Sequence, residues 1–231
     1  MNTTFNPNDS GGHGTFSELQ FLARNMLQEL GDHEASYFQS SQATRFILYA
    51  NKIVGDVNRH PMFLDLLDNA YDNQVGNISA DSYELTLTSS GTVFSQYTPV
   101  KIVGAGFDNS DTTVGDLYSF VIKQKTDSSG NAVANTYNLA DTAFTTVSGA
   151  VVSHPYKTRI RRYTASTEYR AIDDEVMVAG LKMYFMNDDA DTNNAGLITL
   201  NQSAYTNALN NWLGSITNIQ GNLTVSINEY T

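Results

Sequence analysis

The chain has 231 residues, of which 41% are hydrophobic, and its 13 Lys and Arg face 24 Asp and Glu, giving a formal net charge of -11. That hydrophobic content is enough for the packed core of one large or two small domains. The lack of cysteine excludes disulfides, thiolate catalysis and Cys-ligated metals. The acidic excess argues against a protein that grips phosphates, and no sequence window is long and apolar enough to indicate a membrane partner.

Two pairs of amphipathic helices are predicted, one pair near each end of the chain. Thr15 to Glu18 has the pattern of a capping box, which predicts a helix start there, and a second apolar stripe predicts a helix that stops at Pro61. Helical periodicity returns at Asp173, and Thr199 to Gln202 resembles another capping box. Their apolar stripes predict these core residues: Leu22, Met26, Phe46, Ile53, Val176, Met183, Leu209 and Trp212.

Between the helix pairs, the sequence is rich in Thr, Ser, Asn and Gly and has the features of β-strands. Residues 83–87 alternate at period two, residues 100–103 and 117–122 are rich in β-formers, and residues 128–131 have the composition of a turn. These patterns predict an α+β fold, a helical bundle of about four helices with an inserted antiparallel β subdomain and an extended C-terminal tail.

The predicted domain boundaries follow from these elements. They comprise a flexible N-terminal extension at 1–14, a helical bundle domain at 15–76 and 166–220, an inserted β subdomain at 77–165 and a C-terminal docking tail at 221–231. In the tail, residues 223–227 alternate like a strand without a sequence neighbour to pair with. The tail is therefore expected to add to a sheet edge or to a partner chain.

No group of residues has the spacing of a catalytic or metal site. The stretch from Asp189 resembles a calcium loop, but Asn194 replaces the required Gly and Leu200 replaces the bidentate Glu. The four histidines share no metal-ligand spacing and are expected at the surface. We therefore expect no catalysis, no catalytic residues, no metal and no cofactor.

One basic cluster stands out in this acidic chain. Lys157, Arg159, Arg161 and Arg162 fall within six residues, and on a strand the first three would share one face. Cations can protect an exposed strand edge from unwanted pairing. They can also form an ionic contact with neighbouring subunits or with DNA. Of the two functional interpretations, we prefer an intersubunit contact because the net charge is so negative.

Two regions resemble the head-to-tail adaptor proteins of short-tailed bacteriophages, also called tail-tubular adaptors or connectors. The first is the helix with Arg45 to Leu48, Asn51 to Ile53 and Val57, followed by the aromatic Phe63. The second runs from a basic strand ending in Arg161-Arg162-Tyr163, through an acidic helix start at Asp173, to the helix containing Tyr205 to Trp212. An Asn/Gly-rich N-terminus and a Ser/Thr-rich stretch at 108–152 depart from the family pattern.

The resemblance implies a structural virion protein without enzymatic activity. It would form a homo-oligomeric ring, a dodecamer in that family, between the portal protein and the tail nozzle or tail-tube protein. The ring would extend the channel through which DNA passes without specific binding. Localisation would be the tail or neck of the virion, and the host cytoplasm during assembly. The family pattern places portal docking in the C-terminal tail, with these apolar and aromatic residues: Leu223, Val225, Ile227 and Tyr230.

An alternative hypothesis comes from the β region. A carbohydrate- or receptor-binding virion module would present aromatic side chains to sugars, and Tyr83, Tyr97 and Tyr118 are candidates for such platforms. A glycan array or a host-adsorption assay distinguishes this module from an internal adaptor, which should bind no glycan.

Overall fold

The computed structural model describes residues 16–30, 40–68, 70–89, 94–106, 108–109, 113–188 and 195–217. These ranges contain five helices and eight strands. The helices are α1 (Leu19–Glu29), α2 (Ser40–Arg59), α3 (Pro61–Asp68), α4 (Asp174–Asp188) and α5 (Ala195–Thr217). The strands are β1 (Gln74–Ile78), β2 (Glu84–Leu87), β3 (Pro99–Ile102), β4 (Asp108–Asn109), β5 (Thr113–Val114), β6 (Leu117–Thr126), β7 (Ala132–Leu139) and β8 (Val147–Ser153).

Six of the strands close into an antiparallel barrel in the order β1-β2-β7-β6-β3-β8. Closure comes from the pairing of β1 with β8, which sets Val75 opposite Val151 and Gly76 opposite Ala150. The two short strands β4 and β5 pair separately. Alternate residues of the barrel strands point inward, because side chains alternate between the two faces of a strand. They fill the interior with apolar side chains such as Leu85, Val100 and Val152.

The predicted fold class is wrong. The β region is a closed barrel and the described helices number five, not about four. The helices also do not enclose a core of their own. Phe120 of β6 lies in the helical core, as do Tyr156, Ile160 and Tyr163 from the segment that follows β8. The barrel and its exit segment therefore complete the core that a separate bundle would have to build from helices alone.

Both predicted capping boxes are also wrong. Thr15 lies outside the described residues, and α1 begins at Leu19 with Glu18 as its N-cap residue. Glu18 instead forms an isolated antiparallel bridge with Tyr169, which keeps the chain extended up to that point. Thr199 lies inside α5, where its carbonyl accepts a 2.9 Å hydrogen bond from the Ser203 hydroxyl. Long-range pairing and helix continuation override these local patterns.

The helix α4 packs tightly against α2 and α5 at Gly180. A Cβ there would lie 2.6 Å from Ile53 Cδ1 and 2.9 Å from Tyr205 Cε2, and both side chains are buried. We expect Gly180→Ala to lower the free energy of unfolding by about 1–3 kcal/mol, because overpacking outweighs the gain in helix propensity. Urea denaturation measures this change.

A second helical glycine provides the control for that experiment. A Cβ at Gly214 in α5 would meet nothing closer than Met62 Cε at 3.8 Å. Gly214→Ala should therefore be neutral or should stabilise by up to about 1 kcal/mol. Equal effects of the two substitutions would contradict the close packing at Gly180.

Candidate interaction surface

The basic segment follows β8 and is held against α2. We call residues 157–163 the basic strap. Two asparagines of α2, seven residues apart and therefore on one helix face, hold its backbone. Asn58 donates to the Ile160 carbonyl at 2.8 Å and accepts from the Ile160 amide at 2.9 Å. Asn51 does the same for Tyr163, at 3.1 and 2.7 Å.

Arg170 also holds the backbone of the strap. Its Nε donates to the Arg161 carbonyl at 3.1 Å, and Nη2 donates to the Arg162 carbonyl at 2.9 Å. The same guanidinium forms an ion pair with Glu168 and lies over the Tyr163 ring, 5.1 Å from its centroid. The backbone of the strap is therefore fixed by side chains and not by a neighbouring strand.

The prediction that these residues form a strand is wrong. β8 ends at Ser153, and residues 157–163 belong to no strand of the described structure. Hydrogen bonds from Asn51, Asn58 and Arg170 take the place of a strand ladder at several strap positions. These side-chain hydrogen bonds hold a segment whose sequence pattern resembles that of a strand.

The strap sorts its side chains between core and solvent. Ile160 and Tyr163 are buried in the helical core. Lys157 and the arginines at 159, 161 and 162 are exposed. The Lys157 ammonium forms an ion pair with Asp72 at 3.1 Å. No ion pair within the described ranges involves the guanidinium groups of the arginines at 159, 161 and 162. The arrangement presents three arginine side chains to solvent from a backbone that is already held in place.

The charge of the chain is strongly uneven around this surface. Residues 157–170 contain five of the chain's 13 Lys and Arg and a single carboxylate, Glu168, although the whole chain has a net charge of -11. A local positive field on an acidic molecule favours association with a carboxylate-rich or phosphate-rich surface. Electrostatics therefore makes the strap the strongest candidate interaction site among the described residues.

The other predicted site residues fall into two groups. The portal-docking tail, with Leu223, Val225, Ile227 and Tyr230, lies outside the described residues. The predicted core residues all lie in the helical core, each with less than a tenth of its surface exposed. They are Leu22, Met26, Phe46, Ile53, Val176, Met183, Leu209 and Trp212.

Of the three candidate sugar platforms, Tyr83 is the exposed one. The Tyr118 ring packs edge-on against Phe16 at 6.1 Å, and the Lys101 ammonium lies 5.8 Å from its centroid. Burial raises the pKa of the Tyr118 hydroxyl above its usual value. Tyr97 is only partly exposed. Tyr83 alone of the three therefore presents an exposed ring.

His154 corrects the expectation of surface histidines. It is buried where β8 leaves the barrel, and its Nδ1 accepts the Tyr156 amide at 3.1 Å. Burial lowers the pKa of His154 to about 4. His60 is only partly buried and contacts Asn210 at 3.2 Å, while His13 and His33 lie outside the described residues. A histidine next to a proline in the sequence gives no warning of such burial.

Asp173 is a buried carboxylate at the start of α4. Its carboxylate caps α4 by accepting the amides of Glu175 at 2.8 Å and Val176 at 3.3 Å. Burial, followed by the adjacent charge of Asp174, raises the pKa of Asp173 to about 7 even though these amides lower it. Asp174 in turn accepts the Ser17 amide at 2.7 Å, which ties α4 to the start of α1. Asp173 therefore stabilises the start of α4, and Asp174 links that start to the segment before α1.

The described ranges contain no cluster of metal-ligating side chains and one open depression of note. No group of three or more His, Asp and Glu side chains there is placed to hold a metal ion. The surface of α5 carries an open polar depression, lined by these residues: Thr199, Gln202, Ser203, Thr206 and Asn207. The stretch from Asp189 to Asn194, which resembles a calcium loop, lies outside the described residues, and Leu200 belongs to α5.

Sequence reasoning found the cations of the strap but missed the residues that position them. Asn51 and Asn58 each follow an apolar stripe residue, Ile47 and Val54, by four positions. Polar side chains at such helix positions face the core side, where they need partners. This periodicity was available in the sequence, whereas the identity of the partner backbone, more than a hundred residues away, was not.

No described helix combines the length and the apolarity that crossing a lipid bilayer requires. Comparison with known proteins adds no relative. No protein-family model matches the chain, and a search of curated proteins finds no significant match, so the likeness to phage adaptors rests on the residue patterns quoted above.

Proposed function

We propose that the chain is a structural subunit of a virion head-to-tail adaptor, which assembles into a ring between portal and tail and extends the DNA channel. The observation that carries the proposal is the basic strap. Three exposed arginines without ion pairs to the described residues stand on a backbone fixed by Asn51, Asn58 and Arg170. Because that backbone is already held, only the arginine side chains lose conformational entropy when they bind carboxylates, which suits a protein interface.

The charge balance supports subunit contact over DNA binding. A strap arginine that meets a carboxylate of the next subunit gains an attractive pair. DNA carries one negative charge per about 1.7 Å of its axis, so a molecule of net charge -11 repels it more strongly than it repels a second copy. An acidic surface also suits a channel through which a polyanion slides without sticking. The sugar-binding alternative has less support, since Tyr83 is the one exposed ring among its three candidates.

Neutralising the strap tests this proposal. We expect the double variant Arg159→Gln/Arg161→Gln to assemble at least about tenfold more weakly than the wild type, because each lost interfacial pair removes on the order of 1–2 kcal/mol. Light scattering coupled to size-exclusion chromatography, with negative-stain images, measures ring formation.

The matched control changes net charge by the same amount elsewhere. Arg24 and Lys123 are both exposed, on α1 and on β6. Arg24→Gln/Lys123→Gln should assemble like the wild type. Rings of wild-type size and stability from the strap variant would contradict the proposed role of the strap.

A further inference from the structure

The segments that connect the barrel strands alternate between the two ends of the barrel, because neighbouring strands are antiparallel. Gln74, at the start of β1, lies opposite Val152, near the end of β8. The basic strap follows β8 and therefore begins at this end of the barrel. The opposite end lies about 20 Å away along β8. Three connections lie there, at 79–83, 103–116 and 140–146.

These three connections carry only negative charge, and we call them together the acidic end. They contain five Asp residues and no Lys, Arg or Glu. The Lys101 ammonium of β3 reaches this end and forms an ion pair with Asp116 at 2.9 Å. Five carboxylates and this one cation leave an excess of four negative charges. Asp81 is exposed to solvent there.

Two exposed aromatic rings also lie at the acidic end. The Ala143 amide donates to the Ser82 carbonyl at 2.9 Å, and these two residues are followed in the sequence by Phe144 and Tyr83. The exposed fractions are 57% for Phe144 and 48% for Tyr83. Guanidinium groups stack on aromatic faces as well as pairing with carboxylates. The acidic end therefore presents both kinds of group that an arginine binds.

We infer that the acidic end is the partner of the basic strap, and that the strap of one copy of this chain binds the acidic end of the next. The strap presents three exposed arginines in addition to the ion pair of Lys157 with Asp72. The acidic end presents the opposite charge, and complementary charge on two surfaces of one chain favours a second copy as the occupant. This inference rests on the proposed function and names the surface of the neighbouring subunit that the strap binds.

The positions of the two surfaces suit a ring. The strap and the acidic end lie at opposite ends of the barrel, so a head-to-tail contact leaves one strap and one acidic end of each pair available to further copies. Head-to-tail contacts generate rings when the rotation between subunits closes. An antiparallel pair of copies would instead use both surfaces at once and stop at the dimer. The mass of the wild-type assembly distinguishes these two arrangements.

Two added lysines test the acidic end. Ala80→Lys/Thr142→Lys places a cation beside Asp81 and another beside Asp141, at positions that are exposed. The variant should self-associate at least about tenfold more weakly than the wild type, because the lysines repel the strap arginines and compete with them for the carboxylates. Gln202→Lys/Asn207→Lys, at exposed positions of α5, adds the same charge and should assemble normally. Thermal unfolding verifies that both variants fold.

Mixing two defective variants tests whether the strap and the acidic end touch. Ala80→Lys/Thr142→Lys keeps an intact strap, and Arg159→Gln/Arg161→Gln keeps an intact acidic end. At a concentration at which neither variant associates alone, the mixture should form one-to-one pairs and nothing larger. Size-exclusion chromatography coupled to light scattering measures the mass of these species.

Each other outcome overturns a specific statement. Normal assembly of Ala80→Lys/Thr142→Lys, or an equal loss in its control, would show that the acidic end is not the contact, while weakened assembly of the strap variant would still support the proposed function. A mixture without pairs would show that the two surfaces do not touch. A wild-type chain that stops at the dimer would replace the head-to-tail contact with an antiparallel pair. A wild-type chain that stays monomeric would overturn the proposed ring and this inference together.

Discussion

Replacing Asn51 with alanine should lower the free energy of unfolding by about 2–4 kcal/mol. Asn51 satisfies both backbone groups of Tyr163, whose side chain is buried in the helical core. Removing it leaves a buried donor and a buried acceptor unpaired, at about 1–3 kcal/mol each. Asn58→Ala should have a similar effect through Ile160. Urea denaturation measures both changes.

The same substitutions should also expose the strap to protease. Trypsin cleaves after arginine, and the strap contains three exposed arginines whose backbone is held in the native state. Mass spectrometry should show faster cleavage after the arginines at 159, 161 and 162 in Asn51→Ala than in the wild type. Asn207→Ala, on the exposed face of α5, is the control and should change stability by less than about 0.5 kcal/mol. Unchanged cleavage in Asn51→Ala would show that the asparagines do not hold the strap.

Replacing Asp173 with asparagine should change how stability depends on pH. Burial raises the pKa of Asp173 from 3.8 to about 7, so between these values the folded state binds a proton that the unfolded state has lost. Stability due to this group is therefore greatest below pH 4 and falls as pH rises to about 7, by at most about 4 kcal/mol. The amide that replaces the carboxyl group would remain neutral and could still cap α4. The variant should be more stable than the wild type at pH 8.

His154 acts in the opposite direction over nearly the same range. Burial lowers the pKa of His154 from 6.5 to about 4, so the unfolded state binds the extra proton, and stability due to this group rises as pH goes from 4 to 6.5. Protonation would also remove the acceptor that Nδ1 offers to the Tyr156 amide. The two titrations should largely cancel in the wild type.

Urea unfolding between pH 4 and 8 separates the two groups. We expect stability to rise with pH in Asp173→Asn, where His154 acts alone, and to fall with pH in His154→Gln, where Asp173 acts alone. Charged groups next to Asp173 are Asp174 and Glu175, and Tyr156 faces it from the segment after β8. Asp68→Asn, at an exposed carboxylate of α3, is the control. Parallel pH profiles for all four proteins would contradict this account.

The helices were largely predictable because their apolar residues recur with the helical period. Phe46, Ile53 and Val57 define one buried face of α2, and Leu209, Trp212 and Leu213 define one of α5. Helix starts were less predictable. The start of α1 depends on the pairing of Glu18 with Tyr169, about 150 residues away, and no local pattern contains that information.

Closure of the barrel and the nature of the strap could not be predicted for a related reason. Whether β1 pairs with β8 depends on the register of Val75 and Val151, which are separated by most of the β region. The strap looked like a strand because the cations at 157, 159 and 161 recur at every second position. Its real partners are the side chains of Asn51 and Asn58 in α2. In the sequence, these two asparagines could be recognised only as polar residues on a buried helix face.

The closed order of the six barrel strands has a consequence for aggregation. Every strand of the barrel has a neighbour on both sides, so its backbone amides and carbonyls are taken up within the molecule. Exposed strand edges are templates for aggregation and amyloid growth. The barrel therefore offers a strand of another chain no free edge to extend, and contacts between chains at the barrel must form through side chains.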